Sequence, residues 1–170
     1  DRSLRQTPGS INGEDWIRAS AQFIQSTARL RETAFASTTA AHDIAQHNLL
    51  IKHRAWALSE QAGLERAVVA LQISSGQPLT RAQQGQLQSI RGVLLHVSGM
   101  MPNLRNLTDM DPRILDALAA MEREYFQNFE MLRASVHAGN TNGHYPLSTG
   151  QWLTASTVAI DSILAVVTAS

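Results

Sequence analysis

The sequence predicts an all-α chain, an up-and-down four-helix bundle with a very long first helix, and three observations predict it. The chain is 44% hydrophobic but only 5% aromatic and 16% charged, with abundant Ala, Ser, Thr, Gln and Leu. That mixture suits helices packed closely on small residues and lacks the aromatic richness that sheets favour. Prolines and glycines fall in a few short stretches that cut the chain into helical lengths, and capping signals stand where those lengths begin.

Thr7-Pro8-Gly9-Ser10 is an entry loop. From about Gly13 to Ser75 there is no proline and one interior glycine, Gly63, and apolar positions recur at helical spacing at Leu49, Trp56, Gly63, Ala67 and Leu71. Unbroken, a helix of roughly 60 residues spans about 90 Å, the length of a stalk rather than of a globular core. A kink or break near Gly63 is the alternative. Gly76-Gln77-Pro78 closes this element. Thr80 with Gln83 three residues on has the form of a capping box and starts a second helix to about Met101. Pro102-Asn103 ends it. Asp111-Pro112 reads as an N-cap with proline at the first helical position, opening a third helix to about His137. The stretch from Ala138 to His144 is loop-like, and Ser148 or Thr149 caps a last helix through Trp152, Ile160 and Ile163. The whole of 1–170 reads as one helical module, with a long N-terminal helix or stalk over 13–57 and the bundle proper over 58–170.

Trp16-Ile17-Arg18-Ala19-Ser20 at the start of the long helix matches Trp152-Leu153-Thr154-Ala155-Ser156 at the start of the last one, and Ile24 and Ser26 match Ile160 and Ser162 at the same offset. Read as a repeat, this makes the chain about one period of a larger helical architecture.

Composition also bounds function. The 14 basic and 14 acidic residues balance to a formal charge of zero, without the Lys and Arg field that phosphate backbones require, so nucleic-acid binding is not expected. Lys52 is the sole lysine; arginine, which dominates the basic side, suits directional capture of planar oxyanions. The absence of cysteine removes thiolate metal sites, disulfides and Cys nucleophiles. His42, His47 and His53 are spaced too widely to share a helical face, and Glu122 and Glu124 face different ways, so neither a metal site nor paired catalytic carboxylates are expected. No Gly-x-Ser-x-Gly elbow or phosphate loop is present, and no enzyme activity or cofactor is expected. His96 and His137 read as surface or interface residues, and Trp16, Trp56 and Trp152 as core or interface anchors.

Two arginines stand out. Arg66 flanks a small-residue notch formed by Gly63 and Ala67, where another helix could approach closely, and Arg133 has a similar apolar surround. An arginine at a helix junction can offer a small anion two parallel N–H donors. The same residues in ion pairs with acidic partners would be purely structural, and the presence of fixed carboxylates distinguishes the two readings.

Ala62-Gly63-Leu64-Glu65-Arg66-Ala67 resembles the Glu-Arg helix motif of nitrate- and nitrite-sensing domains, all-helical modules of bacterial chemoreceptors and sensor kinases. The stretch from Gly150 to Asp161 is similar to the Trp-x-x-Ala…Ile-Asp segment late in such domains, and Met131-Leu132-Arg133 stands where the family tends to carry an upstream arginine. The resemblance spans Leu58 to Val166; Ala67 replaces a glycine common in the family. It implies a dimeric periplasmic bundle that binds nitrate, nitrite or a similar small anion through Arg66 and Arg133, without a cofactor. It also implies a flanking transmembrane helix and a cytoplasmic signalling module. The alternatives are a dimerisation stalk with no small-molecule ligand, or a sensor for a different ligand.

Overall fold

The computed structural model describes residues 13–36, 43–101 and 110–170 and is all-helical, with no strand among the described residues. Among the described residues five helices follow in order. Helix α1 is Gly13–Ala36, α2 is Asp43–Ser75 and α3 is Arg81–Met100. Helix α4 runs α-helical over Pro112–Met121, π-helical over Glu122–Asn128 and α-helical again over Phe129–Ala138. Helix α5 is Thr149–Ala169.

The local punctuation acts as the sequence predicts. Thr80 accepts the Gln83 backbone N–H at 3.3 Å while the Gln83 side chain accepts the Thr80 N–H at 2.9 Å, a reciprocal cap on α3. Asp111 accepts the Arg113 N–H at 2.8 Å ahead of Pro112. Ser148, rather than Thr149, caps α5 with Gln151 by the same box. Gly76 ends α2 at φ 60°, a left-handed conformation that side chains resist. Gly143, at φ 75°, packs against it: a Cβ there would stand 2.7 Å from the Gly76 carbonyl oxygen. The Tyr145 hydroxyl donates to the Gln77 carbonyl at 3.1 Å, so the loop before α5 is clasped to the loop after α2.

The single long first helix is corrected. A Cβ on Gly13 would lie 2.9 Å from Leu71 Cδ2, whereas a continuous helix would hold these residues nearly 90 Å apart. The chain therefore doubles back, and α1 lies along α2 with Ile17 buried between them. The alternative, a break at Gly63, is absent as well; α2 runs through that glycine.

Helix α2 is the hub, packing on α3 and α5, while α5 packs in turn on α4. Its buried stripe is Ile51, Ala55, Leu58, Ala62, Glu65, Val69 and Gln72, a regular four-three alternation. This is another face from the one the sequence suggested, since Trp56 is 39% and Leu71 40% exposed. The bulkier apolar side chains mark the flank. The core-facing line is obscured by a carboxylate and an amide.

The buried line of α4 runs Ile114, Leu118, Met121, Tyr125, Phe129, Arg133 and Val136. Three successive steps of four residues, from Met121 to Arg133, would drift around an ordinary α-helix with about 3.6 residues per turn. The π-helical segment, wider per turn, absorbs that drift and keeps all seven side chains facing inward.

Helix α5 buries Trp152, Ser156, Ala159, Ile160, Ile163, Val166 and Val167. It is long and apolar enough to cross a membrane by length and composition; here it is a core helix of the bundle. The matched tryptophans of the repeat are treated differently, Trp152 being fully buried and Trp16 56% exposed.

Candidate functional site

Two charged positions lie within the packed helices, and both begin at the Glu65-Arg66 pair of α2.

Glu65 falls on the core stripe and is buried, so its carboxylate requires partners. Helix α4 supplies them. Arg133, 2% exposed, donates from Nε to Glu65 Oε2 at 3.1 Å, and His137 Nε2 lies 3.3 Å from Glu65 Oε1. Arg133 Nη1 donates to Glu130 Oε2, and the other Glu130 oxygen accepts from Arg91 Nη2 of α3 at 2.5 Å. The result is a chain of charges, Arg91–Glu130–Arg133–Glu65–His137, joining α3, α4 and α2.

The Arg133 guanidinium also lies 4.8 Å from the ring centroids of both Tyr125 and Phe129, an aromatic seat of the kind that cations favour. Burial alone would lower its pKa, but the carboxylates of Glu65 and Glu130 outweigh burial and hold it above its ordinary value. Burial pushes the Tyr125 phenol well up. Two polar atoms in this seat are buried with no hydrogen-bond partner among the described residues, the Tyr125 hydroxyl and Arg133 Nη2.

Beside the charge chain α3 and α4 diverge and leave a groove of about 550 Å³. Leu87, Leu95 and Ala134 are among its apolar lining; its charged part is Arg91, Glu130, Arg133 and His137, and Gln84, Gln88 and Thr141 are polar and uncharged.

Arg66 is differently placed. One residue past Glu65, it leaves the core stripe and reaches the junction of α2 and α5 half-buried. Its Nη1 donates to the Thr157 hydroxyl at 2.9 Å, and it forms no ion pair among the described residues. The Trp152 indole N–H donates to the Arg66 carbonyl at 3.0 Å, which pins the two helices together here. The expected notch is not filled: among the described residues nothing lies within 4 Å of a Cβ built on Gly63, so no described helix approaches it closely.

The structure thus keeps the two predicted arginines apart. Arg133 has two carboxylates; Arg66 has a hydroxyl. Sequence reasoning missed Arg91, Glu130 and His137 as members of one cluster, and it read Glu65 as part of a motif rather than as a buried charge. The available signal was phase, because Glu65 and Arg133 both stand in line with the buried apolar residues of their helices. His42 lies outside the described residues, and among the described residues no group of three or more metal-ligating side chains converges. Comparison with protein-family models, curated proteins and solved structures finds no match to this chain.

Proposed function

We propose that the chain is a ligand-sensing module of a transmembrane receptor, extracytoplasmic in location, that binds nitrate, nitrite or a similar small oxyanion at Arg66. In this reading α2 to α5 form the up-and-down bundle, with α1 as an outer helix. The observation that carries it is the pairing of Arg66: among the described residues its guanidinium makes one hydrogen bond, to a rotatable Thr157 hydroxyl across the α2–α5 junction. The remaining N–H donors of such a guanidinium suit a planar oxyanion, and Thr157 can add a further donor. An anion bound there would bear on two helices at once. A difference of about 1–3 kcal/mol in its affinity for two helix packings is enough to bias a signal.

Arg133 leaves the anion-ligand set in this reading. With carboxylates on both sides it serves as the ion-pair centre of the bundle, which supports the second reading, a dimerisation stalk, for that part of the molecule. Trp16, Phe23 and Leu30 add to it: at heptad spacing on α1 they are 56%, 70% and 72% exposed, an apolar seam fit for a second copy.

Thermal-shift and calorimetric titrations with nitrate and nitrite, against chloride and sulfate, test the proposal. Saturable stabilisation by nitrate or nitrite, lost in Arg66→Ala, is expected. A flat response to both anions removes the oxyanion reading and leaves the stalk.

A further inference from the structure

We propose that the groove between α3 and α4 is a second ligand site, taking a small amphipathic carboxylate whose anionic end replaces Glu130 between Arg91 and Arg133. It is independent of the Arg66 reading and uses none of its residues.

The argument starts from Glu130. Its carboxylate bridges guanidinium groups on two helices, Arg91 of α3 and Arg133 of α4, so the space between those arginines has the size and charge of a carboxylate site. Yet Glu130 itself is not built into the core. Its side chain is 37% exposed, against 3% for Glu65, and it can leave by rotating into solvent. Arg133 cannot follow, being 2% exposed, held by Glu65 and seated on two rings. Among the described residues its buried Nη2 has no hydrogen-bond partner, so the fixed cation at the base of the groove has donor capacity left for an anion once Glu130 swings away. A buried polar atom of this kind calls for a partner.

The rest of the groove fits an apolar tail. Leu95 is 55% exposed and forms part of its wall with Leu87 and Ala134. Gly92 keeps the α3 side low, with nothing within 4 Å of where its Cβ would stand. The volume of about 550 Å³ lies within the range of small-molecule pockets. A carboxylate with a short alkyl chain satisfies both parts, pairing with Arg91 and Arg133 while its chain covers Leu95.

The test is calorimetric titration of the 170-residue chain with hexanoate, with hexanamide as the uncharged control of the same shape. Saturable binding of hexanoate and none of hexanamide is expected. Glu130→Gln removes the competing internal carboxylate and should tighten hexanoate about tenfold, because a larger fraction of the protein is ready to bind. Arg91→Ala should weaken it about tenfold or more by removing one side of the clamp. Gly92→Leu fills the groove from an exposed helical position without touching any charge, and should abolish binding while circular dichroism and melting stay intact. Binding that persists in both Arg91→Ala and Gly92→Leu, or no saturable binding in either wild type or Glu130→Gln, overturns the proposal. Nitrate run in parallel separates the two sites: a nitrate response lost in Arg66→Ala but kept in Arg91→Ala belongs to the junction alone.

Discussion

Arg66 and Arg133 occupy opposite kinds of site although both sit in apolar helical surroundings in the sequence. Arg133 points along the core line of α4, between Phe129 and Val136, and is enclosed by two carboxylates and two rings. Arg66 lies one residue off the core line of α2 and meets a hydroxyl at a helix junction. The difference teaches that helical phase, more than local composition, decides whether an arginine must carry carboxylates fixed by the fold. A charge on the buried line must be neutralised by the fold itself. A charge one step away keeps donors for something else.

The comparison can be broken most directly at Glu65. Glu65→Ala removes the buried counter-charge of Arg133, leaving it only the partly exposed Glu130, and should destabilise the chain by about 3 kcal/mol in chemical denaturation; a loss below about 1 kcal/mol would mean that Arg133 is not dependent on its buried partner. Replacing both members, Glu65→Leu with Arg133→Met, should recover most of that loss, since apolar residues of similar volume often substitute for a buried pair without penalty. Arg66→Ala removes one hydrogen bond at a half-buried junction and should lower stability by only about 0.5–1.5 kcal/mol. A value as large as that for Glu65 would erase the contrast.

The smallest effect is expected at Tyr125, whose buried hydroxyl has no hydrogen-bond partner among the described residues. Tyr125→Phe should be neutral or stabilising by up to about 1 kcal/mol at neutral pH. The folded-state pKa of this phenol lies above its unfolded value because burial disfavours the charged form. Its contribution is therefore present below the unfolded pKa of about 10 and is lost as pH rises through the folded value. Alkaline denaturation profiles should accordingly fall less steeply for Tyr125→Phe than for wild type, and identical slopes would count against the buried phenol.

Features of short range were legible. The caps at Thr80, Asp111 and Ser148 and the stop at Gly76 each depend on residues within a few positions, and each was read from the chain. The reversal between α1 and α2 was not, because no proline or glycine marks it. Ser37, Thr38 and Thr39 were the available hint, since hydroxyl side chains compete for backbone hydrogen bonds and weaken helices; these residues lie outside the described ones. The core face of α2 was misjudged because Trp56 and Leu71 are larger than Ala55 and Ala62, and Glu65 and Gln72 interrupt the buried line. The charge chain was illegible for a related reason: Glu65 and Arg133 are far apart in sequence and meet only once α2 and α4 pack. The matching starts of α1 and α5 carried no information about burial, as the exposure of Trp16 and Trp152 shows.

The π-helical stretch of α4 makes that helix two phase-locked halves with one surplus residue between them. Deleting a single residue from 122–128 removes that surplus, and the segment can then close to ordinary α-helical winding with both halves still in phase, since one residue fewer offsets the tighter turn. Adding a residue instead would turn one half relative to the other by about 100°, so that either Ile114, Leu118 and Met121 leave the core or Arg133 swings away from Glu65. The wide segment is therefore what lets one helix serve the hydrophobic core and the charged cluster together, and α4 should tolerate the loss of one position between 122 and 128 better than the gain of one.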